Sequence, residues 1–375
     1  MTGPAPKDWI LDLAPYVPGK ARADGADRPV VKLSANESAY GPSPRAVAAA
    51  RDAMDGLARY PDPESADLRA ALGELHGLDA ARILCGNGSD EPLSLLAHCF
   101  AGPGDEVIYS RYGFQLYAIL AKTVGATGVA VANENWAASV DGILQAVTPR
   151  TRLIYLDNPN NPTGAMLPFS EIERLYAGLP DHVLLVLDAA YGECVDDPAY
   201  EAGARLVDRA NNVVMTRTFS KMYALPALRV GWAYGPAAVM DVLNRARLPF
   251  NVSAAGQKAA LAAVRDQDHL AAAVARNNEE RAWLTAALAA TGLDVVPSQT
   301  NFVLAGFPDA PGQTAAEAYR ALMADGYILR HLPGQGLANH LRITIGTPEQ
   351  NRAVAALLTA FMDGSGLAEA GEAPA

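Results

Sequence analysis

Residues 182–193, HVLLVLDAAYGE, carry five apolar residues in succession, Val183 to Leu187, and the run ends on an aspartate, Asp188. A run this short with no helical period fits a strand, and unbroken rather than alternating hydrophobicity means that both of its faces are covered. Such a strand belongs to a mostly parallel sheet sandwiched by helices. The neighbouring sequence repeats the pattern. ILCGN (83–87), DEVIYS (105–110), GVAVAN (128–133), RLIYLDN (152–158), NVVMTRT (212–218) and LRVGWAY (228–234) also read as strands, making seven, with helix-length segments at 92–100, 115–123 and 170–177 between several of them. Upstream, helices are expected at 44–57 and 66–76, divided by the breaker cluster Tyr60-Pro61-Asp62-Pro63.

The texture changes after Asn251. A long Ala-rich helical stretch spans 253–290. After it come the short strand-like runs LDVVPS, TNFVLAGF, YILRHL and HLRITIG around a helix at 315–324, with a last helix at 348–362. The expected organisation is an N-terminal arm (1–36), a large α/β domain (37–250), a smaller α+β domain (251–363) and a disordered tail (364–375).

The whole is 375 residues, half of them hydrophobic and 19% charged, which is ordinary globular composition. Thirty basic against 41 acidic residues give a net charge of −11, which repels phosphate backbones and anionic lipids, so neither nucleic acid nor a membrane surface is an expected partner. Cys85, Cys99 and Cys194 are widely spaced, without a C-x-x-C, and read as reduced thiols. The opening MTGPAPKDWILDLAPYVPGK has no basic region leading into an apolar one, so no secretory signal is expected and a cytoplasmic location is. The six histidines show neither H-x-H nor H-E-x-x-H spacing, so no metal site is expected.

Ligands of open α/β sheets bind beyond the carboxyl ends of the strands, so the residues just past each strand matter most. After ILC comes Gly86-Asn87-Gly88-Ser89-Asp90-Glu91, opening a helix; it suits a phosphate, and a plain capped turn explains it as well. After RLIYLD comes Asn158-Pro159-Asn160-Asn161-Pro162-Thr163-Gly164, a rigid turn that holds a side-chain donor stiffly. Asp188 closes a doubly buried strand, where a carboxylate is costly unless a cation meets it; capping the next turn is the other reading. After NVVMTRT come Ser220 and Lys221, with Arg229 eight residues on; a lone loop lysine is usually a solvated charge, but one in an apolar setting can serve as an amine nucleophile. Together these pieces offer a phosphate cup, an Asn, an Asp with Tyr191, and a Lys with an Arg. Pyridoxal phosphate needs that set: a Schiff-base lysine, a carboxylate for its ring nitrogen, donors for its ring hydroxyl and a phosphate cage.

On the motifs LSANESAYGPSP, RYPDP, GNGSDE, NPNNPTG, LDAAYGE, TRTFSKMYALPALRVGW and LRITIGT, the chain resembles the fold-type-I pyridoxal phosphate-dependent aminotransferases, and within them the histidinol-phosphate aminotransferase subfamily. The resemblance implies catalytic roles for Lys221, Asp188 and Tyr191. It implies cofactor contacts from Gly88, Ser89, Tyr112, Asn161, Thr218, Ser220 and Arg229, and from Tyr60 of a second subunit in a homodimer with shared active sites. It assigns substrate contacts to Tyr16, Asn36, Arg330 and Arg342, for an amino donor and a 2-oxo acid. The implied reaction is histidinol phosphate plus 2-oxoglutarate giving imidazole acetol phosphate and glutamate. Alternatives are an aromatic amino-acid aminotransferase, a decarboxylase of a phosphorylated amino acid, and a DNA-binding regulator, for which no basic module precedes the motifs. Two segments depart from the family pattern. Ala224-Leu225-Pro226-Ala227-Leu228-Arg229 stands where Gly-Leu-Ala-Gly-Leu-Arg is usual, and Asn36-Glu37-Ser38-Ala39 stands for Asn-Glu-Asn-Pro.

Overall fold

Every residue of the strand Leu184–Asp188 is buried, and the strand occupies the middle of a seven-stranded sheet. The computed structural model describes residues 3–13 and 30–364. Residues 14–29 of the expected arm and 365–375 of the expected tail lie outside the described residues. The sheet runs, edge to edge, Ile83–Asn87, Val230–Tyr234, Val213–Thr218, Leu184–Asp188, Thr151–Asp157, Glu106–Ser110 and Thr127–Val131. Val230–Tyr234 is antiparallel to both neighbours and the remaining pairs are parallel. The seven runs read as strands are these seven.

Alternation along each strand builds two cores from one sheet. Leu185, Leu187, Val213 and Met215 face one layer with residues of Pro44–Asp52, Ala66–His76, Phe169–Ala177 and Ala254–Val264. Leu184, Val186 and Val214 face the other, with Asp90–Phe100, Leu116–Thr123 and Ala237–Ala246.

A four-stranded antiparallel sheet comes next, in the order Asp294–Val296, Phe302–Gly306, Leu337–Thr344, Arg330–Leu332. Its core joins Val303, Leu341 and Ile343 to Leu284, Leu288, Val354 and Leu358 of the flanking helices. Val31–Lys32 pairs in parallel with Tyr327–Ile328 and Leu33 enters this second core, so the segment before Asn36 is anchored to the small sheet.

The Ala-rich stretch 253–290 departs from a single helix. It forms Ala254–Val264 and Gln267–Ala289, interrupted at Arg265 and Asp266. The carboxylate of Asp266 accepts a 2.5 Å hydrogen bond from Ser43, the N-cap of Pro44–Asp52. Ala259, Ala260, Ala263 and Val264 belong to the core of the large sheet, because small side chains let this helix pack closely on its neighbours. A hairpin, Asn133–Glu134 with Ala137–Ala138, was not evident in the sequence. Among the described residues no helix is long and apolar enough to cross a membrane. The three cysteines are free thiols.

Candidate active site

The carboxyl ends of the central strands bring two acids side by side, for Asp157 and Asp188 are directly paired on adjacent parallel strands. Asp188 is 4% exposed, and its oxygens accept from the Tyr117 hydroxyl at 2.8 Å and from Thr216 at 3.1 Å. Neither acid forms an ion pair with Lys or Arg among the described residues. Burial pushes the Asp188 carboxyl up to about 6, against the pull of its two hydroxyl bonds. Such a buried anion calls for a cation.

The turn 158–164 is rigid and polar. Asp157 accepts from the Asn161 backbone N–H at 2.8 Å and from Asn160 Nδ2 at 3.1 Å, while Thr163 Oγ1 donates to Asn160 Oδ1 at 2.7 Å. The Asn161 side chain thereby faces the small sheet, where Arg342 Nη1 donates to its Oδ1 at 2.5 Å. Arg342 is buried, and its Nη2 donates to the Ser34 carbonyl at 2.9 Å. Asn36, at φ +56, donates from Nδ2 to the Tyr191 hydroxyl at 2.8 Å and receives a bond from Thr344 on Oδ1. Arm, small sheet and large sheet thus meet at this cleft.

The opposite wall is built at a helix start. Ser89 stands at the N-cap of Asp90–Phe100 but makes no side-chain capping bond, so the capped-turn reading of GNGSDE is not realised. Gly88 has φ +76, and a Cβ there would lie 2.5 Å from Arg229 Nη2. Arg229 donates to Ser220 Oγ at 3.3 Å and to Asp90 at 2.9 Å. Thr218 Oγ1 receives the Ser220 backbone N–H at 3.1 Å, ordering the loop that carries Lys221. Lys221 Nζ lies 5.4 Å from the centre of the Tyr191 ring.

These walls enclose a cleft of about 350 Å³, within the usual size of cofactor and substrate sites. Of the residues expected from the sequence, Asn36, Ser89, Asn161, Asp188, Tyr191, Thr218, Ser220, Lys221, Arg229, Arg330 and Arg342 line it. Gly88 sits behind Arg229 rather than on the surface of the cleft. Tyr112 packs beside Trp136, ring centres 6.0 Å apart, and Phe114 and Gln115 line the cleft near it. Tyr60 is 81% exposed and stacks on Phe250 at 4.4 Å, away from this chain's own cleft. Tyr16 lies outside the described residues. Sequence reasoning missed Asp157, Lys32, Glu37 and Gln335 in the lining, and Tyr117 behind Asp188. Asp157 was detectable in principle, since it ends a doubly buried strand just as Asp188 does.

The arrangement fits pyridoxal phosphate on its own terms. The cation-seeking Asp188, the cup of Ser89, Ser220 and Arg229, whose guanidinium packs where a Gly88 Cβ would stand, and the amine of Lys221 in the same cleft match a protonated ring nitrogen, a phosphate and a carbonyl. The aminotransferase class I and II family matches residues 28–358. The histidinol-phosphate aminotransferase of Nitrobacter winogradskyi is 51% identical, over 96% of this chain and 99% of its own. That of Paramagnetospirillum magneticum is also 51% identical with the same coverage. Among solved structures, the Sinorhizobium meliloti histidinol-phosphate aminotransferase in complex with pyridoxal-5'-phosphate superposes with a TM-score of 0.86. It is 31% identical, over 95% of this chain and 97% of that one. With motifs, fold and cleft in agreement, the chain belongs to the class I and II aminotransferases.

Proposed function

We propose that this enzyme transfers the amino group of histidinol phosphate to 2-oxoglutarate, giving imidazole acetol phosphate and glutamate, with pyridoxal phosphate as cofactor. The observation that carries the reading is one cleft holding Lys221 and Asp188 on the large sheet opposite Arg330 and Arg342 on the small one. The near-complete coverage of relatives bearing that activity in their names supports the choice of substrate.

Pyridoxal phosphate, when bound, supplies an electron sink for the charge left when a proton leaves the substrate carbon. Asp188, which lines the cleft, would hold the proton of the ring nitrogen. Asn161 and Tyr191 would bond the ring hydroxyl, and Ser89, Thr218, Ser220 and Arg229 the phosphate. Lys221 Nζ, as the neutral amine, takes the proton from the carbon bearing the amino group and returns one in the reverse sense. Arg342 binds an anionic group of each substrate in turn, with Arg330 and Asn36 beside it. The substrates alternate in one site, so the kinetics are ping-pong.

The exposed Tyr60–Phe250 stack, with Leu57 and Leu248 also exposed, supports a homodimer in which Tyr60 serves the neighbouring subunit's cleft. A cytoplasmic location accords with free thiols and an acidic surface. The domain division proposed is a large unit and a small one, with helix Ala254–Val264 packed in the large unit's core and Gln267–Ala289 leading to the small sheet. The test is product identity: the native protein should form glutamate and imidazole acetol phosphate in equal amounts, and Lys221→Ala should form neither. Turnover by Lys221→Ala at the native rate would end the assignment.

A further inference from the structure

Among the buried titratable groups, one lines the cleft without a part in the chemistry above. Asp157 is 5% exposed and stands beside Asp188 at the next strand end. Each of its oxygens takes one N–H, Oδ1 from Asn160 and Oδ2 from the Asn161 backbone. Asn161 in turn receives Arg342. We propose that Asp157 is a positioning residue for both halves of the site: its carboxylate fixes Asn161 and, through Asn161, the guanidinium of Arg342. The proposal rests on the aminotransferase reading above, and its test is chosen to fail separately from it.

The turn itself does not require an acid. It contains two prolines, Pro159 and Pro162, and Asn160 is already tied to Thr163. A neutral residue of similar shape would fill the space, whereas an anion buried without a cation is costly. What the acid adds is a pair of charge-assisted bonds, stronger than neutral ones, at the point where the large sheet touches the small-sheet arginine. It also adds a negative charge at the ring side of the cleft.

The groups facing Asp157 are few. Asp188 lies on the adjacent strand and Tyr117 on helix Leu116–Thr123, while Lys221 and Arg342 share the cleft. Above it sits Gly113, where a Cβ would come within 3.4 Å of Asp157 Oδ1. Burial and the Asp188 anion push the Asp157 carboxyl up to about 7. At a mildly alkaline pH it is therefore charged, and its removal takes a negative charge from beside the chromophore.

The experiment compares Asp157→Asn and Asp157→Ala with native holoenzyme, using maleate as an unreactive dicarboxylate and the bound cofactor's visible absorption as the signal. Asp157→Ala should weaken maleate roughly tenfold or more, as expected when a charged hydrogen bond that orients the arginine is lost. Asp157→Asn, which keeps one acceptor oxygen, should recover at least half of that loss on a logarithmic scale. Both variants should move the midpoint of the absorption titration to lower pH, because a negative charge stabilises the protonated chromophore. In turnover, KM for the 2-oxo acid should rise more than kcat falls.

Maleate affinity within twofold of native in Asp157→Ala, or an unmoved absorption midpoint in Asp157→Asn, overturns the proposal. If Asp157→Ala does not fold, Asp157→Asn alone decides through that midpoint. Neither maleate binding nor the absorption midpoint depends on which amino donor the enzyme uses. A native protein inert towards histidinol phosphate therefore refutes the function while leaving this test intact.

Discussion

Replacing Gly88 with alanine isolates the phosphate side of the site. The added methyl carbon would stand 2.5 Å from Arg229 Nη2 and 3.2 Å from its Cζ, and both atoms belong to the mobile end of a long side chain. The protein can relieve the clash by swinging the guanidinium away, so the fold loses little there. The left-handed backbone at φ +76 adds a penalty of about 1–2 kcal/mol for a residue with a Cβ. The displaced Arg229 would leave Ser220 and Asp90, its present partners, and with them its place at the phosphate. A hydrogen bond to a charged group is worth about 1.5–3 kcal/mol, so cofactor dissociation should rise roughly tenfold to a hundredfold. The assay is titration of cofactor-stripped protein with pyridoxal phosphate, monitored by absorbance, beside urea unfolding of the stripped protein to record the backbone cost. An affinity within twofold of native, with only the unfolding midpoint lowered, would refute the placement of Arg229 at the phosphate.

The geometry sets three further outcomes. Both buried acids have folded-state values above their unfolded ones, so between the two values the folded protein holds more protons and stability falls as pH rises. Cofactor-stripped native protein should lose stability from about pH 4 up to about pH 7, and Asp188→Asn should flatten that decline in urea unfolding; an equally steep decline contradicts the burial argument. Ala224 holds φ +55 where the family usually has glycine, so Ala224→Gly relieves about 1–2 kcal/mol of strain and gives back about 0.5–1 kcal/mol in chain entropy. A small net gain in thermal stability is expected, and a clear loss would show that Ala224 is not strained. Finally, sedimentation should find a dimer, and Tyr60→Phe should weaken cofactor binding without altering the mass; a strictly monomeric active enzyme contradicts the shared-site arrangement.

Much of this was legible because the signals are local. An unbroken apolar run ending on Asp188 states both strand and site, and NPNNPTG states its own rigidity. The same holds for Thr347-Pro348, where Thr347 and Gln350 form the capping box that starts the last helix. What stayed hidden depends on contacts far apart in the chain. Nothing near Tyr117 says that its hydroxyl meets Asp188, 71 residues away. Nothing near Asn36 says that it joins Thr344 and Tyr191. The break at Arg265 and Asp266 escaped notice because alanine favours helix on both sides, and the contacts that mark it, Ser43 and Arg45 on Asp266, come from a segment more than 200 residues away. Tyr112 was assigned by motif alone, and the hairpin that carries Trp136, against which it packs, has no strong strand signal.

The most direct test of the account is a comparison of kcat/KM for histidinol phosphate, phenylalanine and tyrosine, each with saturating 2-oxoglutarate. A cleft that sets Arg330 and Arg342 opposite Lys221 predicts a preference for the phosphorylated donor of roughly a hundredfold or more, the worth of one or two charge-assisted contacts. Equal or better use of the aromatic amino acids would contradict the assigned substrate and leave an aminotransferase of different specificity.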